Sequence, residues 1–154
     1  WKVRRIGAEM ALHDAAIFRA GQWWLRMRRA GHAFAEHCAR HGAAAFPAWR
    51  HALRGIFVWA LILPLGMLGL AGLALATGTY WPALLAGIVA LLYPAQIARL
   101  TLRRRRAGAD LRLAFFDGLW LVLGKFAQLG GVARYWINRM KRRRSGLIEY
   151  KAGQ

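Results

Sequence analysis

The chain has 154 residues, 58% of them hydrophobic, and its 24 Lys and Arg against 6 Asp and Glu give a formal net charge of +18. The apolar residues are concentrated in one block instead of recurring at amphipathic intervals, which argues against a soluble globule and favours a membrane protein with basic segments outside the bilayer. The single cysteine, Cys38, excludes an internal disulfide and agrees with a reducing compartment.

The first segment, 1–14, is short and weakly alternating, and it predicts a strand followed by a turn. We expect it to be an interior part of a longer protein, because the chain begins at Trp1 and lacks the regions of a signal peptide. Asp14 is placed to cap a helix that starts at Ala15. His13 is either a ligand of a divalent metal or a buried, hydrogen-bonded ring.

The second segment, 15–54, is predicted to hold a basic amphipathic helix from about residue 15 to 41, followed by a linker. Four apolar residues recur at steps of three and four along one stripe: Trp23, Met27, Ala30 and Phe34. A basic helix with tryptophan on its apolar side suits the interface plane of a membrane. The same pattern also suits packing beneath a cytoplasmic domain.

Six residues near the start of this helix form a candidate phosphate site: Gln22, Trp23, Trp24, Arg26, Arg28 and Arg29. Arginine holds phosphate oxygens in a two-pronged geometry, and tryptophan stacks on a sugar or base or lies at the lipid interface. The alternative is a basic interfacial helix without a specific ligand. His37 and His41 have the spacing of zinc ligands, but the Glu of a His-Glu-x-x-His motif is missing, so we expect solvated residues there.

The third segment, 55–102, contains the longest uncharged run. From Gly55 to Ala98 there is no Asp, Glu, Lys, Arg or His, which is room for two membrane helices of about 20 residues each. We predict spans at about 55–76 and 80–100. Both outer ends carry arginine, so both are placed on the cytoplasmic side. Pro64 predicts a kink in the first span, and its glycines at three-residue spacing predict a closely approaching neighbour: Gly66, Gly69 and Gly72.

The fourth segment, 103–140, is predicted to be a basic loop and an amphipathic helix that lies in the membrane plane or re-enters shallowly. The helix carries a narrow polar stripe: Asp110, Ala114, Asp117, Leu121, Lys125 and Gln128. Both flanks are basic, so a crossing would translocate a basic cluster. The alternative is a third span with its stripe turned toward a partner. The arginine runs, 103–106 and 141–144, indicate topology and lipid contact before nucleic-acid binding. Residues 141–154 are expected to be a cytoplasmic tail.

Three segments together resemble the C-terminal part of bacterial membrane-bound family 2 glycosyltransferases, of the kind that build exopolysaccharide. They read AEMALHDA at 8–15, GQWWLRMRRAGHA at 21–33 and LIEYK at 147–151. The resemblance implies a nucleotide-diphospho-sugar donor, a divalent metal (Mg or Mn), and a lipid-linked or growing glycan acceptor. It also implies that 1–14 is a remnant of an α/β, GT-A-like catalytic domain.

By the same resemblance, His13 matches a histidine that completes the metal site, while the Asp-x-Asp motif and the catalytic base belong upstream of Trp1. Processive relatives carry a Gln-x-x-Arg-Trp motif on a helix beneath the membrane. Here Gln22 is followed directly by two tryptophans and Arg26 comes later, so the spacing differs. No catalytic residue is expected within the chain, which should be inactive without the upstream domain.

Together these observations predict a mainly α-helical membrane protein: a two-helix transmembrane hairpin flanked by basic interfacial helices, with both termini on the cytoplasmic side of a bacterial inner membrane. The expected function is to anchor a glycosyltransferase, with membrane lipids, the upstream catalytic domain and the two substrates as partners. The expected substrate-binding residues are Gln22, Trp23, Trp24, Arg26 and Arg29. The first alternative is a non-enzymatic membrane scaffold. A nucleic-acid binder is not expected, since it would require a chain that stays soluble without detergent.

Overall fold

The computed structural model describes residues 19–42 and 47–141, and within these two ranges all regular structure is helical. There are four helices in chain order: α1 Ala20–His41, α2 Pro47–Thr77, α3 Trp81–Arg106 and α4 Leu111–Met140. The helical class agrees with the sequence analysis. The predicted strand in 1–14 and the predicted tail from 142 onward lie outside the described residues, as does His13.

Three of the described helices, α2, α3 and α4, are long and apolar enough to cross a membrane. The sequence analysis predicted two such helices and placed the third in the membrane plane. The mean hydropathy of the most apolar window falls from 2.3 in α2 to 1.7 in α3 and 1.2 in α4. A membrane protein is therefore what the helices indicate, with α4 the least apolar of the three.

Helices α2 and α3 extend beyond the spans predicted at 55–76 and 80–100, whereas α1 begins at Ala20 and not at the predicted Ala15. Helix α2 begins at Pro47, well before Gly55, because basic side chains end an uncharged run without ending a helix. Proline suits the first turn, where its missing N–H has no helical partner to lose. Helix α4 runs through Gly130 and Gly131 without interruption to Met140.

Each of the two most apolar helices has an irregular turn just before an internal proline. In α2 the residues Val58–Ile62 form a π-helical turn two positions before Pro64. In α3 the α-helical segments Trp81–Ala90 and Leu92–Arg106 meet at Leu91, three residues before Pro94. A proline donates no N–H and crowds the preceding turn, so an irregular turn before it is the expected response. The kink predicted at Pro64 corresponds in position to the π-helical turn of α2.

The helices pack mainly in three pairs: α1 with α4, α3 with α4, and the second half of α2 with the first half of α3. Helices α3 and α4 run antiparallel, with the Tyr93 and Phe126 rings 6.3 Å apart and Arg104 beside Asp117. Helix α1 runs parallel to the second half of α4. The buried apolar core is small and lies where α1, α2 and α4 meet, at Ala35, Ile56 and Val132.

The glycines of the first predicted span do not have the neighbour that their spacing suggested. Among the described residues, nothing lies within 4 Å of a Cβ built at Gly66, Gly69 or Gly72. The close helix approaches occur elsewhere, between α1 and α4 and, at Gly118, between α3 and α4. Most large apolar side chains of α2 and α3 between Leu65 and Leu92 remain exposed, as expected for surfaces that contact lipid.

Candidate functional site

Helix α1 is fixed to α4 by two glycines that bring the backbones into contact. A Cβ on Gly31 would collide with the Gln128 carbonyl oxygen, and a Cβ on Gly131 would collide with the Arg28 carbonyl oxygen. Glycine is therefore required at both places by the approach of a neighbouring backbone. Small residues that admit such contact are typical of helix pairs in membrane proteins.

The aromatic half of the candidate phosphate site lies beside this contact. Trp23 is half-buried, and its ring meets the edge of Trp120 at a centroid distance of 4.7 Å. The Trp23 ring and Met27 also cover Gly124, each about 3.5 Å from a Cβ built there. Trp24 remains 45% exposed. Trp23 is thus a packing residue of the α1–α4 contact, and Trp24 stays available to lipid or ligand.

The polar half of the candidate site lies on the opposite side of α1. Gln22, Arg26 and Arg29 are exposed and follow one another at steps of four and three residues, which places them on one helix face. Gln22 also caps the start of the helix, because its Oε1 accepts a hydrogen bond from the Arg19 backbone N–H at 3.2 Å. Arg40 extends the same face and pairs with Glu36 at 2.7 Å. We call this face the α1 polar stripe.

The structure therefore separates the predicted residues into two groups. Gln22, Arg26 and Arg29 lie together on the α1 polar stripe, whereas Trp23 faces α4. Arg28 is half-buried, with its carbonyl against Gly131.

Two histidines of α1, His32 and His37, pack against aromatic rings of other helices, and His41 is exposed with its ring 4.6 Å from that of His37. His32 Nδ1 lies 3.8 Å from Glu36 Oε2, and its ring meets Tyr135. His37 stacks on Trp49 at a centroid distance of 4.3 Å. In the described ranges, no group of three or more His, Cys, Asp or Glu could hold a metal ion. The predicted metal ligand, His13, lies outside them.

The polar stripe predicted on α4 is turned toward the rest of the protein. Asp110 caps the helix by accepting from the Arg112 N–H at 2.8 Å, and Asp117 pairs with Arg104 of α3 at 3.3 Å. Farther along, Lys125 donates to the Gln128 Oε1 at 3.3 Å. The Gln128 amide in turn lies 3.9 Å from the sulfur of Met27 in α1.

A pocket of about 240 Å3 opens where α2, α3 and α4 meet. Its polar lining comes from three helices: His51 from α2, Gln96 from α3 and Lys125 from α4. Helix α2 also contributes Ala52, Gly55 and Trp59 to the lining. The remaining lining residues are apolar and come from α3 and α4: Leu100, Leu121 and Val122. The sequence indicates Lys125 as part of the polar stripe of α4. It does not indicate the pocket, which exists only when three distant segments are brought together.

Comparison of the chain with protein families, with curated proteins and with solved structures found no match.

Proposed function

We propose that this chain is the membrane anchor of a glycosyltransferase and that it holds a phosphate-bearing, lipid-linked acceptor at the inner surface of a bacterial membrane. The observation that carries the proposal is the α1 polar stripe. It presents Arg26 and Arg29 on a helix whose other face is fixed to α4 through backbone contact. Two arginines on a fixed surface suit the recognition of phosphate oxygens better than two on a free segment, because less side-chain and backbone freedom is lost on binding. The sugar-transfer reaction is inferred from the sequence resemblance.

In this proposal α2 and α3 cross the bilayer as a hairpin. Their apolar surfaces are exposed along the segment on both sides of the turn at residues 78–80. Basic residues flank both far ends, with Arg50 and Arg54 on α2 and the run 103–106 on α3. An excess of arginine near both ends favours their retention on the cytoplasmic side.

In this proposal α4 stays at the cytoplasmic surface, where it lies antiparallel to the part of α3 that follows the irregular turn at Leu91. The reason for keeping it there is its contact with α1. Helix α1 lies alongside α4 from Trp120 to Tyr135. A crossing α4 would draw the Arg26, Arg28 and Arg29 region of α1 toward the hydrocarbon. Each arginine at the bilayer centre costs about 2.5–3.5 kcal/mol on insertion scales. The most apolar window of α4 has a mean hydropathy of only 1.2, so the insertion of α4 itself would do little to offset the cost of three arginines.

The proposal is tested by sugar transfer in membranes that contain the chain expressed from its complete reading frame. Radiolabelled nucleotide-diphospho-sugars are supplied, and label is followed into lipid-extractable product. We expect transfer, and we expect Arg26→Gln to raise the KM for the lipid acceptor about tenfold or more, the usual effect of losing a hydrogen bond from a charged group. The matched control is Arg40→Gln on the same face, which should change little because Arg40 is already paired with Glu36.

Two results would count against the proposal. Absence of transfer with every nucleotide sugar, from a protein that is correctly inserted, favours the non-enzymatic scaffold. An equal rise in KM for Arg26→Gln and Arg40→Gln would show that overall charge matters and that the specific phosphate contact assigned to the α1 polar stripe is wrong.

A further inference from the structure

The pocket between α2, α3 and α4 combines a cation with two further hydrogen-bonding groups and apolar walls. Lys125 supplies an ammonium group, His51 an imidazole and Gln96 an amide. The sequence offers a reason for the space: Gly55 has no side chain, and a Cβ built there would lie 3.8 Å from Lys125 Nζ. The glycine thus leaves room directly beside the ammonium group.

The charge of Lys125 is not neutralised by the residues that the structure describes. Its hydrogen bond goes to the neutral amide oxygen of Gln128, and the ion pairs within the described ranges involve other residues. An ammonium group has three donors, so this bond leaves two for a further acceptor. A half-buried cation of this kind favours an anionic ligand, since removal from water raises the free energy of an unpaired charge.

The position of the pocket along the helices indicates which class of anion it binds. Gly55 and Gln96 lie near the two ends of the uncharged run from Gly55 to Ala98. With α2 and α3 crossing as proposed, these ends lie at the cytoplasmic boundary of the hydrocarbon, where lipid phosphates are found. The volume, about 240 Å3, is below the range of about 300–1,000 Å3 that is usual for drug-sized ligands. It suits a phosphate group better than a whole sugar nucleotide.

We propose that this pocket binds the phosphate of a lipid phosphate, with the Lys125 ammonium as the principal contact and with His51 and Gln96 as additional hydrogen-bonding groups. The apolar chain of the ligand then lies against the exposed lipid-facing side of α2 and α3, where Ile62 and Leu92 are among the exposed side chains. The inference adds a second phosphate site, separate from the one assigned to the α1 polar stripe, and it rests on the proposed function for the membrane placement. It concerns binding, so it can be tested without sugar transfer.

The test measures binding of a radiolabelled polyisoprenyl monophosphate to the 154-residue chain in phosphatidylcholine nanodiscs. Two competitors separate the sources of the phosphate: the corresponding polyisoprenol, which lacks phosphate, and inorganic phosphate, which lacks the chain. We expect Lys125→Gln to weaken binding about tenfold to a hundredfold, as for loss of a charged hydrogen bond. Lys125→Arg should retain most of the affinity, and Lys141→Gln, at the exposed end of α4, should retain all of it.

A second pair of variants tests the pocket without removing a charge. Gly55→Val fills the space beside Lys125 and should also weaken binding at least tenfold. Gly69→Val on the same helix should not, because nothing described lies within 4 Å of that position.

The proposal is overturned by wild-type affinity in either Lys125→Gln or Gly55→Val, or by inorganic phosphate or polyisoprenol displacing the probe as well as unlabelled lipid phosphate. Specific lipid phosphate binding without any sugar transfer leaves this inference intact and rejects only the enzymatic part of the proposed function.

Discussion

At the scale of single residues, the Trp59 carbonyl shows how a membrane helix tolerates a proline. The Leu63 N–H donates to Val58 in the π-helical turn, and Pro64, the residue that would donate next to Trp59, has no N–H. The Tyr93 hydroxyl from α3 donates to this carbonyl at 2.6 Å. Satisfying the group matters, because an unpaired backbone polar group in lipid costs several kcal/mol.

We therefore predict that Tyr93→Phe lowers the free energy of unfolding in a detergent titration by about 1 kcal/mol, in line with interhelical hydrogen bonds measured in membrane proteins. Tyr80→Phe is the control, since Tyr80 is exposed at the turn between α2 and α3. In a Pro64→Ala background the loss should shrink, because alanine at position 64 restores a backbone donor. An undiminished loss in that background would show that Tyr93 acts through packing alone.

This pair of residues also marks what could be predicted from the sequence at this scale. Pro64 predicts a kink in an apolar helix, and the structure has a π-helical turn just before it. The role of Tyr93 could not be assigned from the sequence, because nothing local connects it to a carbonyl 34 positions away. Capping by Asp110 was likewise not foreseen, although the residue was singled out for the polar stripe.

At the scale of elements, the α1–α4 pair depends on glycines that helix propensity alone would count as destabilising. Intrinsic propensity counts each glycine as a loss of about 1 kcal/mol relative to alanine. At Gly31 and Gly131 the absent side chain is what lets the backbones meet. Gly130, the direct neighbour of Gly131, is exposed and has open space around its Cβ position.

These neighbours give a matched prediction. Gly131→Ala should destabilise the protein by about 1–3 kcal/mol, as for other overpacked contacts, because its Cβ collides with the Arg28 carbonyl and α1 must move away. Gly130→Ala should be neutral or stabilising by up to about 1 kcal/mol through helix propensity. Thermal unfolding followed by circular dichroism in detergent compares the two. Similar effects of the two substitutions would mean that α1 does not pack on α4 as described.

Periodicity predicted the helices but not their partners. The apolar stripe through Trp23 and Met27 was recognised, and these residues do face a neighbouring helix. That the neighbour is α4 depends on the register of Gly31 and Gly131, which are a hundred positions apart in the chain. The polar stripe of α4 was equally visible, but its separate partners, Arg104 and Met27, belong to two other helices and could not be assigned from spacing.

At the scale of the whole molecule, the proposed function depends on which of the described helices cross the membrane and which lie at its surface. Length and composition allow α2, α3 and α4 to cross. The contact between α4 and a basic α1, together with the arginine runs on both sides of α4, favours two crossings and a surface layer made of α1 and α4. That layer brings the α1 polar stripe and the Lys125 pocket to the same side of the membrane as the proposed catalytic domain.

The most direct test is cysteine labelling with a membrane-impermeant maleimide in spheroplasts, in a Cys38→Ser background with one cysteine introduced at a time. Thr79→Cys reports the turn between α2 and α3, whereas Ala107→Cys and Lys141→Cys report the two ends of α4. We predict labelling of Thr79→Cys in intact spheroplasts, and labelling of Ala107→Cys and Lys141→Cys only after the membrane is opened. Labelling of Lys141→Cys from outside intact spheroplasts would mean that α4 crosses the bilayer and would contradict the account.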